Sequence, residues 1–214
     1  MRIDPAGWPF VLGGVLLAIV VFWLIDTFAG VALLIVATFF LFFFRDPDRV
    51  ATVPEAAVVS PADGRVMVAG TPTAQAFPAS EWQQISIFLS PMDVHVNRLP
   101  VSGRVRRVEY HPGRFLPAYR SDAGDLNEFT EITIDHHGTA VVVRQIVGIL
   151  ARRIVCRIKE GDAVKAGDRF GVMKFGSRMD VFIPKASVLH ATVGDRVVGG
   201  VTVIATLPET DDGT

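Results

Sequence analysis

A glycine–serine pair interrupts two apolar runs in the stretch VMKFGSRMDVFIP, residues 172–184. Gly176 and Ser177 lie between Lys174 and Arg178, where a strand would normally carry β-branched and aromatic residues. A serine hydroxyl is a weak nucleophile until a base removes its proton or the backbone geometry favours attack. The pair therefore indicates either a plain turn or bulge, or a site of nucleophilic chemistry, depending on which residues join it.

Two other stretches carry side chains that could assist this serine. VVSPADGRV places Asp63 in a turn after a predicted strand, and FLSPMDVHVNRLPVSG contains Asp93, His95 and Arg98. Asp93, His95 and Asn97 share one face if this segment is extended, because side chains alternate along a strand. Taken singly, an aspartate in ADG is typical of a turn, and a histidine between valines is typical of a half-buried structural group.

The elements that must position these residues fall into two parts, and the first is an apolar tract over residues 8–44. Asp26 is the single charged residue in the tract, which is too long for one membrane span of about 20 residues. It suits two short helices broken at DTFAG, and the arginines at both ends favour a cytoplasmic location for both termini. We expect residues 1–48 to form a membrane-anchoring helical hairpin and linker. Shallow interfacial insertion and a buried helical pair in a soluble core are the alternatives.

Residues 49–214 show short alternating runs separated by turn signals, which predict a mainly β domain. The predicted strands are AAVVS, GRVMVA, QISIFL, GRVRRVEY, TEITID, TAVVVRQIV, RIVCRI, RFGVMKF, MDVFIP, SVLHATV and VTVIATL, with a short helix at PASEWQQ. The single cysteine, Cys156, excludes an internal disulfide and a cysteine-based metal site. A formal net charge of -1 gives no indication of a nucleic-acid partner.

An internal repeat refines this fold class. GDAVKAGDRFGV from Gly161 and GDRVVGGVTVIA from Gly194 share Gly-Asp-x-Val-x-x-Gly followed by an apolar strand. This pattern resembles the biotinyl/lipoyl carrier fold, a barrel-sandwich hybrid, in which an exposed hairpin displays a modified lysine. Counting along the repeat from Gly167 places Ser177 at the position of that lysine, so the resemblance predicts that the hairpin displays Gly-Ser instead.

Five motifs in order resemble the short form of the phosphatidylserine decarboxylase proenzyme family. They are FFRDPDR, VVSPADGRV, FLSPMDVHVNRLPVSGRV, YHPGRFLPAY followed by LNEFTEI, and FGSRMDVFIP, and they cover most of residues 40–185. The resemblance implies autocatalytic cleavage between Gly176 and Ser177, giving a β chain of residues 1–176 and an α chain of residues 177–214. It further implies a pyruvoyl cofactor made from Ser177, with no metal and no pyridoxal phosphate.

The same resemblance implies that phosphatidylserine is decarboxylated to phosphatidylethanolamine through a Schiff base between the pyruvoyl group and the substrate amine. Asp63 and His95 match the family's acid and histidine, and Ser177 is their target. Longer bacterial relatives have a second histidine where this chain has Arg98, so the step that His95 serves stays open. Arg114 and Arg120 are either contacts for the lipid phosphate or solvated loop residues.

The resemblance also implies partners and a location. The expected partners are membrane phosphatidylserine and the α and β chains of one precursor, with a homo-oligomer left open and no nucleic acid. The expected location is the inner membrane, with the catalytic domain on the cytoplasmic side. A membrane-anchored, carrier-like adaptor without enzymatic activity is the alternative, and it gives no role to Gly176 and Ser177.

Overall fold

The computed structural model of the protein describes residues 2–50, 52–149, 154–174 and 176–208. The chain forms two compact units, Met1–Asp48 and Arg49–Thr214. The first is built from the apolar tract and the second from the alternating segments.

The first unit is a pair of apolar helices, α1 (Trp8–Leu24) and α2 (Thr27–Phe43). Asp26 separates them, and its carboxylate accepts a hydrogen bond of 2.8 Å from the backbone N–H of Ala29. This is a helix N-cap, which explains why the single charge of the tract lies at the break. The segment Pro5–Leu24 is long and apolar enough to cross a membrane, and α2 is shorter. Strands β1 (Arg2–Ile3) and β2 (Arg45–Asp46) pair with each other.

The second unit is mainly β, as the alternating pattern predicts. Its strands are β3 (Ala57–Val59), β4 (Gly64–Gly70), β5 (Trp82–Leu89), β6 (Val96–Arg98), β7 (Gly103–His111), β8 (Phe129–His136), β9 (Thr139–Ile146), β10 (Ile154–Cys156), β11 (Ala163–Val164), β12 (Arg169–Met173), β13 (Ser177–Pro184), β14 (Val188–Leu189), β15 (Arg196–Val197) and β16 (Val203–Thr206). One short helix, α3 (Ala123–Leu126), lies between β7 and β8.

The described residues of this unit form three sheets. The largest has eight strands in the order β11-β7-β8-β9-β13-β5-β4-β15, and two smaller sheets have the orders β10-β12-β6 and β14-β16-β3. One face of the large sheet carries the main apolar core, to which Ile87, Met179 and Val181 contribute. Ser177 lies on this face too, because it is two residues before Met179 in the same strand.

The repeat adopts the same local geometry twice. In the first copy Gly161 donates its N–H to the Val105 carbonyl at 2.8 Å, and β11 pairs with the start of β7. In the second copy Gly194 donates to the Val66 carbonyl at 2.9 Å, and β15 pairs with the start of β4. The two copies are therefore equivalent in hydrogen bonding as well as in sequence, and each pairs with a strand that begins Gly-Arg-Val.

Two predicted elements differ in the structure. PASEWQQ is not a helix: it forms a turn, and Trp82 already begins β5, because Trp82, Gln83 and Gln84 pair with β13. SVLHATV contributes only Val188–Leu189 as a strand, since the chain then turns at Thr192–Asp195 to begin the second copy of the repeat.

Candidate functional site

Ser177 is the first residue of β13 and is fully buried. It pairs with Leu89 of β5 and has no exposed surface. Its Oγ makes no hydrogen bond with any residue that the structure describes. A buried hydroxyl without a partner costs free energy and is uncommon in a folded protein, so its presence at this position requires an explanation.

The carbonyl that precedes Ser177 is crowded by another glycine. Gly176 has φ of +63°, a conformation that glycine adopts without strain. A Cβ on Gly148 would lie 1.9 Å from the Gly176 carbonyl oxygen and 3.4 Å from the Cβ of Ala118. The Gly176 carbonyl therefore fits against Gly148 only because Gly148 has no side chain.

The prediction that an exposed hairpin displays Gly176 and Ser177 is wrong. β12 and β13 belong to different sheets and do not pair with each other as a hairpin. Ser177 points into the core face and is not presented to solvent. The carrier pattern therefore does not describe the surroundings of Ser177.

His95 lies just before β6 and is also fully buried. Its carbonyl accepts a hydrogen bond of 3.3 Å from the backbone N–H of Met173. Met173 is four residues before Ser177, a separation of at most about 13 Å for an extended chain. The ring Nδ1 is 2.9 Å from the backbone carbonyl oxygen of Asp93. Because that oxygen can only accept, Nδ1 carries a proton, and Nε2 is the ring atom suited to accept one.

Asn97 and Gln145 extend this polar set between the sheets. Nε2 of Gln145 donates a hydrogen bond of 2.8 Å to Oδ1 of Asn97, joining β6 to the large sheet. Asn97 Nδ2 and Gln145 Oε1 are buried without a partner among the described residues. Gln145 pairs with Met179 and so lies on the same face as Ser177. Gln145 was missed from the sequence, although a glutamine inside the apolar run TAVVVRQIV is a signal that could have indicated it.

Asp93 fixes the turn that leads into His95. Its carboxylate accepts hydrogen bonds from the backbone N–H and hydroxyl of Ser90 at 2.9 and 2.7 Å, and from Arg196 at 2.8 Å. Burial alone would raise the pKa of Asp93, but the bonds from Ser90 and Arg196 outweigh burial and lower the pKa. Asp93 is therefore a charged structural group beneath His95.

Asp63 and Ser102 occupy equivalent positions, because each accepts a backbone N–H from one copy of the repeat. Oδ1 of Asp63 accepts the N–H of Gly199 at 2.8 Å, just as Oγ of Ser102 accepts the N–H of Ala166 at 3.0 Å in the other copy. Unlike Ser102, Asp63 also binds Arg49, whose Nη2 is 2.8 Å from Oδ2. The described contacts of Asp63 are thus a turn N–H and an arginine, and the structure does not bring its carboxylate into a hydrogen bond with His95.

Arg178 points to the opposite face of the sheet from Ser177 and is 1% exposed. It forms a two-pronged ion pair with the fully buried Asp180, at 2.6 and 2.9 Å, and donates to Ser86 Oγ at 3.0 Å. It also donates to the Arg120 carbonyl at 3.3 Å. This network holds the residue that follows Ser177, and the sequence offered no indication that Arg178 is buried.

Arg114 and Arg120 lie on the exposed segment between β7 and β8. The Arg120 guanidinium binds Asp122 through bonds of 2.9 and 2.8 Å, which lowers the pKa of Asp122. Arg114 forms no ion pair with the described residues. Neither side chain is brought into a hydrogen bond with the buried polar set around Ser177.

One group of described residues has the composition of a metal site. Ligand atoms of Glu109, His111 and Glu131 lie within 4.8 Å of one another on adjacent strands. Each acid already has a cationic partner, since Glu109 pairs with Arg107 at 2.6 Å and Glu131 with Arg144 at 2.7 Å. Both acids therefore form ion pairs, one along β7 and one between β8 and β9.

Comparison with known proteins decides the family. The model of the phosphatidylserine decarboxylase family matches residues 36–205. The chain belongs to the phosphatidylserine decarboxylase family. Curated phosphatidylserine decarboxylase proenzymes from Salinibacter ruber, Symbiobacterium thermophilum and Oleidesulfovibrio alaskensis are similar to it. They are 44%, 44% and 42% identical, over 82%, 95% and 97% of this chain and 78%, 94% and 95% of their own lengths.

Membership of this decarboxylase family confirms the resemblance drawn from the five motifs. The matched region includes both the buried serine and the polar set between the sheets. The name proenzyme, shared by these relatives, indicates that members are made as precursors.

Proposed function

We propose that the protein is a precursor that cuts itself between Gly176 and Ser177 and then decarboxylates phosphatidylserine to phosphatidylethanolamine. The products of cleavage are a β chain of residues 1–176 and an α chain of residues 177–214. The observation that carries the proposal is the buried Ser177 Oγ without a partner, directly after a glycine at positive φ, in a chain of this family.

Cleavage uses the serine's own atoms. Oγ of Ser177 attacks the carbonyl carbon of Gly176, the C–N bond breaks, and the proton from Oγ ends on the released nitrogen, so that the amide becomes an ester. Loss of the Cα proton of residue 177 then breaks the Cβ–O bond, frees the Gly176 carboxylate and leaves dehydroalanine. Water replaces the nitrogen, ammonia leaves, and a pyruvoyl ketone remains at the start of the α chain.

His95 is the proposed proton-transfer residue. Because its Nδ1–H is held by the Asp93 carbonyl, Nε2 is the atom that takes up or returns a proton. The short span between Met173, which binds the His95 carbonyl, and Ser177 supports this role. Whether His95 serves cleavage, reprotonation of the decarboxylated carbon or both is decided by separate assays of the two steps.

Asp63 is proposed to act in processing, and its contacts indicate how. It holds the Gly199 turn and neutralises Arg49, so its effect reaches the site through these groups. It is a positioning residue in this proposal, because the hydrogen bonds of its carboxylate do not include Ser177 or His95.

The surroundings of Ser177 fit a pyruvoyl group. That group supplies a carbonyl carbon that reacts with a primary amine and withdraws electrons as carbon dioxide leaves. The core face around Ser177 is apolar, which excludes water, and Asn97 and Gln145 provide buried amide atoms able to bind a polar substrate group. Residues 177–180 stay anchored after the cut, because Arg178 is held on the other face of the sheet.

The proposed location is the inner membrane, with the second unit on the cytoplasmic side. The exposed apolar side chains of α1 and α2 support insertion into lipid, and a phospholipid substrate explains why the chain would carry such a hairpin. Arg114 and Arg120 remain proposed contacts for the lipid phosphate, and the oligomeric state is open.

The test compares Ser177→Ala with Ser187→Ala. Ser187 is a matched control, because it is also a buried serine whose Oγ has no partner among the described residues, at the other end of β13. We expect Ser177→Ala to remain one uncut chain without activity, and Ser187→Ala to be cut and active. Reductive trapping with borohydride in the presence of phosphatidylserine should attach the lipid amine to the wild-type α chain. Activity in uncut Ser177→Ala protein would rule the proposal out.

A further inference from the structure

Arg98 is the last residue of β6 and is held through both its backbone and its side chain. It is 2% exposed, although it carries a charge. Its backbone N–H donates a hydrogen bond of 2.8 Å to the Pro61 carbonyl, and its Nη1 donates one of 2.9 Å to the Gly167 carbonyl. Pro61 belongs to the segment that leads to Asp63, and Gly167 belongs to the first copy of the repeat. Arg98 therefore joins β6 to both of these segments.

The second copy of the repeat packs against the same side chain. A Cβ on Gly200 would lie 2.6 Å from Cδ of Arg98 and 3.4 Å from Cα of Gly167. The aliphatic part of the Arg98 side chain thus lies directly against Gly200, which has no side chain of its own. The turns of the two repeat copies therefore approach each other at this arginine.

This packing connects Asp63 to β6. Gly199 donates its N–H to Oδ1 of Asp63 at 2.8 Å, and the next residue, Gly200, is the one that meets Arg98. The Pro61 carbonyl, two residues before Asp63, binds the Arg98 backbone. Because closely packed atoms transmit small displacements, a shift of the Asp63 carboxylate reaches Arg98 by both routes.

The strand that Arg98 anchors carries the polar residues of the proposed site. Neighbouring side chains of a strand point to opposite faces, so Asn97, which binds Gln145, faces the large sheet while Arg98 faces the repeat turns. The pairing of β6 with β12 continues to His95, whose carbonyl accepts the Met173 N–H. Arg98 therefore holds from behind the strand that presents His95 and Asn97.

The chemistry of an arginine limits what Arg98 can do in the reaction. A guanidinium stays protonated at any pH at which the protein is folded, so it donates hydrogen bonds but does not take up or release a proton. An effect of Arg98 on proton transfer must therefore pass through a residue that it positions, and His95 lies three residues away on the same strand.

We propose that Arg98 is a positioning residue that connects the Asp63 turn to His95 and fixes the location of the His95 ring. The inference deepens the proposed function and rests on it for the role of His95 in proton transfer. It also states how Asp63 acts on cleavage although its carboxylate is not hydrogen-bonded to Ser177 or His95.

The location of His95 is measured by nitrogen-15 NMR of the histidine rings in the full-length, uncut Ser177→Ala protein. His95→Gln identifies its signals among the five histidines. We expect Arg98→Met to shift the His95 ring signals and to speed solvent exchange of the Nδ1 proton several-fold. Arg104→Met is the matched control, because the exposed Arg104 also donates, at 2.8 Å, to the carbonyl of a repeat glycine. Unchanged His95 signals in Arg98→Met would overturn the proposal.

Cleavage of the chain tests the connection from Asp63. Arg98→Met should slow cleavage by roughly 10- to 100-fold, because a small displacement of a reacting group has an effect of that size, whereas Arg104→Met should be cut at the wild-type rate. If the effect of Asp63 passes through Arg98, Asp63→Asn will slow cleavage much less in the Arg98→Met protein than in the wild type. Equal slowing in both backgrounds would contradict the connection.

Gly200→Ala supplies a second test that keeps Arg98 in place, and it decides the matter if Arg98→Met does not fold. Its methyl group would press on Cδ of Arg98, whereas an added Cβ on Gly194 would meet no atom within 4 Å. Both glycines have positive φ, of +71° and +100°, so Gly194→Ala is the control for backbone strain. We expect Gly200→Ala alone to shift the His95 signals and slow cleavage.

Equal effects of the two alanine variants would reject the role of Arg98. The NMR measurement uses uncut protein and depends on neither cleavage nor activity. Shifted His95 signals in a chain that is never processed would therefore support the positioning role and reject the proposed function.

Discussion

At the scale of single residues, the space beside Gly148 sets the position of the Gly176 carbonyl. Gly148→Ala would place a methyl group 1.9 Å from that oxygen, a contact that forces the backbone to move. We expect cleavage of this variant to be slowed strongly, because the attacked carbonyl is displaced from Ser177. The measurement is a time course of chain cleavage by denaturing electrophoresis.

Gly138→Ala is the matched control for this prediction. Gly138 has φ of +86° and open space around its Cα, so an alanine there is strained without meeting another atom. It should lower the melting temperature and leave cleavage intact. If Gly148→Ala were cut at the wild-type rate, the crowding of the Gly176 carbonyl would have no bearing on the reaction.

Arg178 and Asp180 form a buried ion pair, and removing one member leaves a charge without compensation. We expect Arg178→Met or Asp180→Leu to lower the free energy of unfolding by about 3–5 kcal/mol, whereas the double replacement should recover most of that loss. Urea unfolding of the uncut Ser177→Ala protein measures this without interference from cleavage. A double variant as unstable as the sum of the single variants would show that the two groups do not form a unit.

At the scale of elements, the turn from Ser90 to Asp93 orients His95 and should respond to pH. The pKa of Asp93 is lower in the folded chain than the ordinary value of 3.8, so its ionised form stabilises the fold above that pH. This stability is lost as the pH falls below 3.8 and through the folded-state pKa. Asp93→Asn should therefore lower stability near neutral pH, by roughly 1–2 kcal/mol, and weaken the pH dependence in acid. If the free energy of unfolding of the wild type and of Asp93→Asn fell equally as the pH is lowered, this prediction would be contradicted.

The two copies of the repeat allow a direct test of Asp63. Asp63 and Ser102 accept equivalent turn N–H groups, so a purely structural role predicts similar effects when either is replaced. We expect Ser102→Ala to reduce stability only, and Asp63→Asn to slow cleavage as well, because only Asp63 carries a charge and binds Arg49. Cleavage rates of the two variants are compared at temperatures that lie equally far below their melting temperatures. Equal cleavage rates in the two variants would mean that Asp63 stabilises the fold and has no separate role in cleavage.

Local sequence patterns predicted most strands of the second unit but not their arrangement. The runs from Gly64 to Gly70 and from Phe129 to Ile146 alternate clearly, and the structure has strands there. Burial of Arg178 could not be predicted, because it depends on Asp180 and on the distant Arg120 carbonyl. The crossing from β12 to β13 was missed for a similar reason, since sheet membership is decided by long-range pairing.

At the scale of the whole molecule, the chain joins an apolar helical hairpin to a β domain with a buried serine. The pair of helices was predicted from the length of the apolar tract, its break at DTFAG and the arginines at both ends. That Asp26 caps α2 is a finding of the structure. Repeat spacing and the order of five motifs predicted Ser177, His95 and Asp63 as the functional residues. Their surroundings had to come from the structure: the crowded Gly176 carbonyl and the amide pair of Asn97 and Gln145.

The central claim is that Ser177 becomes the first group of a separate chain. Residues 177–214 have a mass of about 4 kDa, by their share of the 23.3 kDa chain, and the intact mass of this fragment tests the claim directly. We predict a mass lower than that of the serine-headed peptide by one ammonia, together with resistance to N-terminal sequencing. A fragment that begins with an ordinary serine, or a purified active protein that is a single uncut chain, would contradict the account.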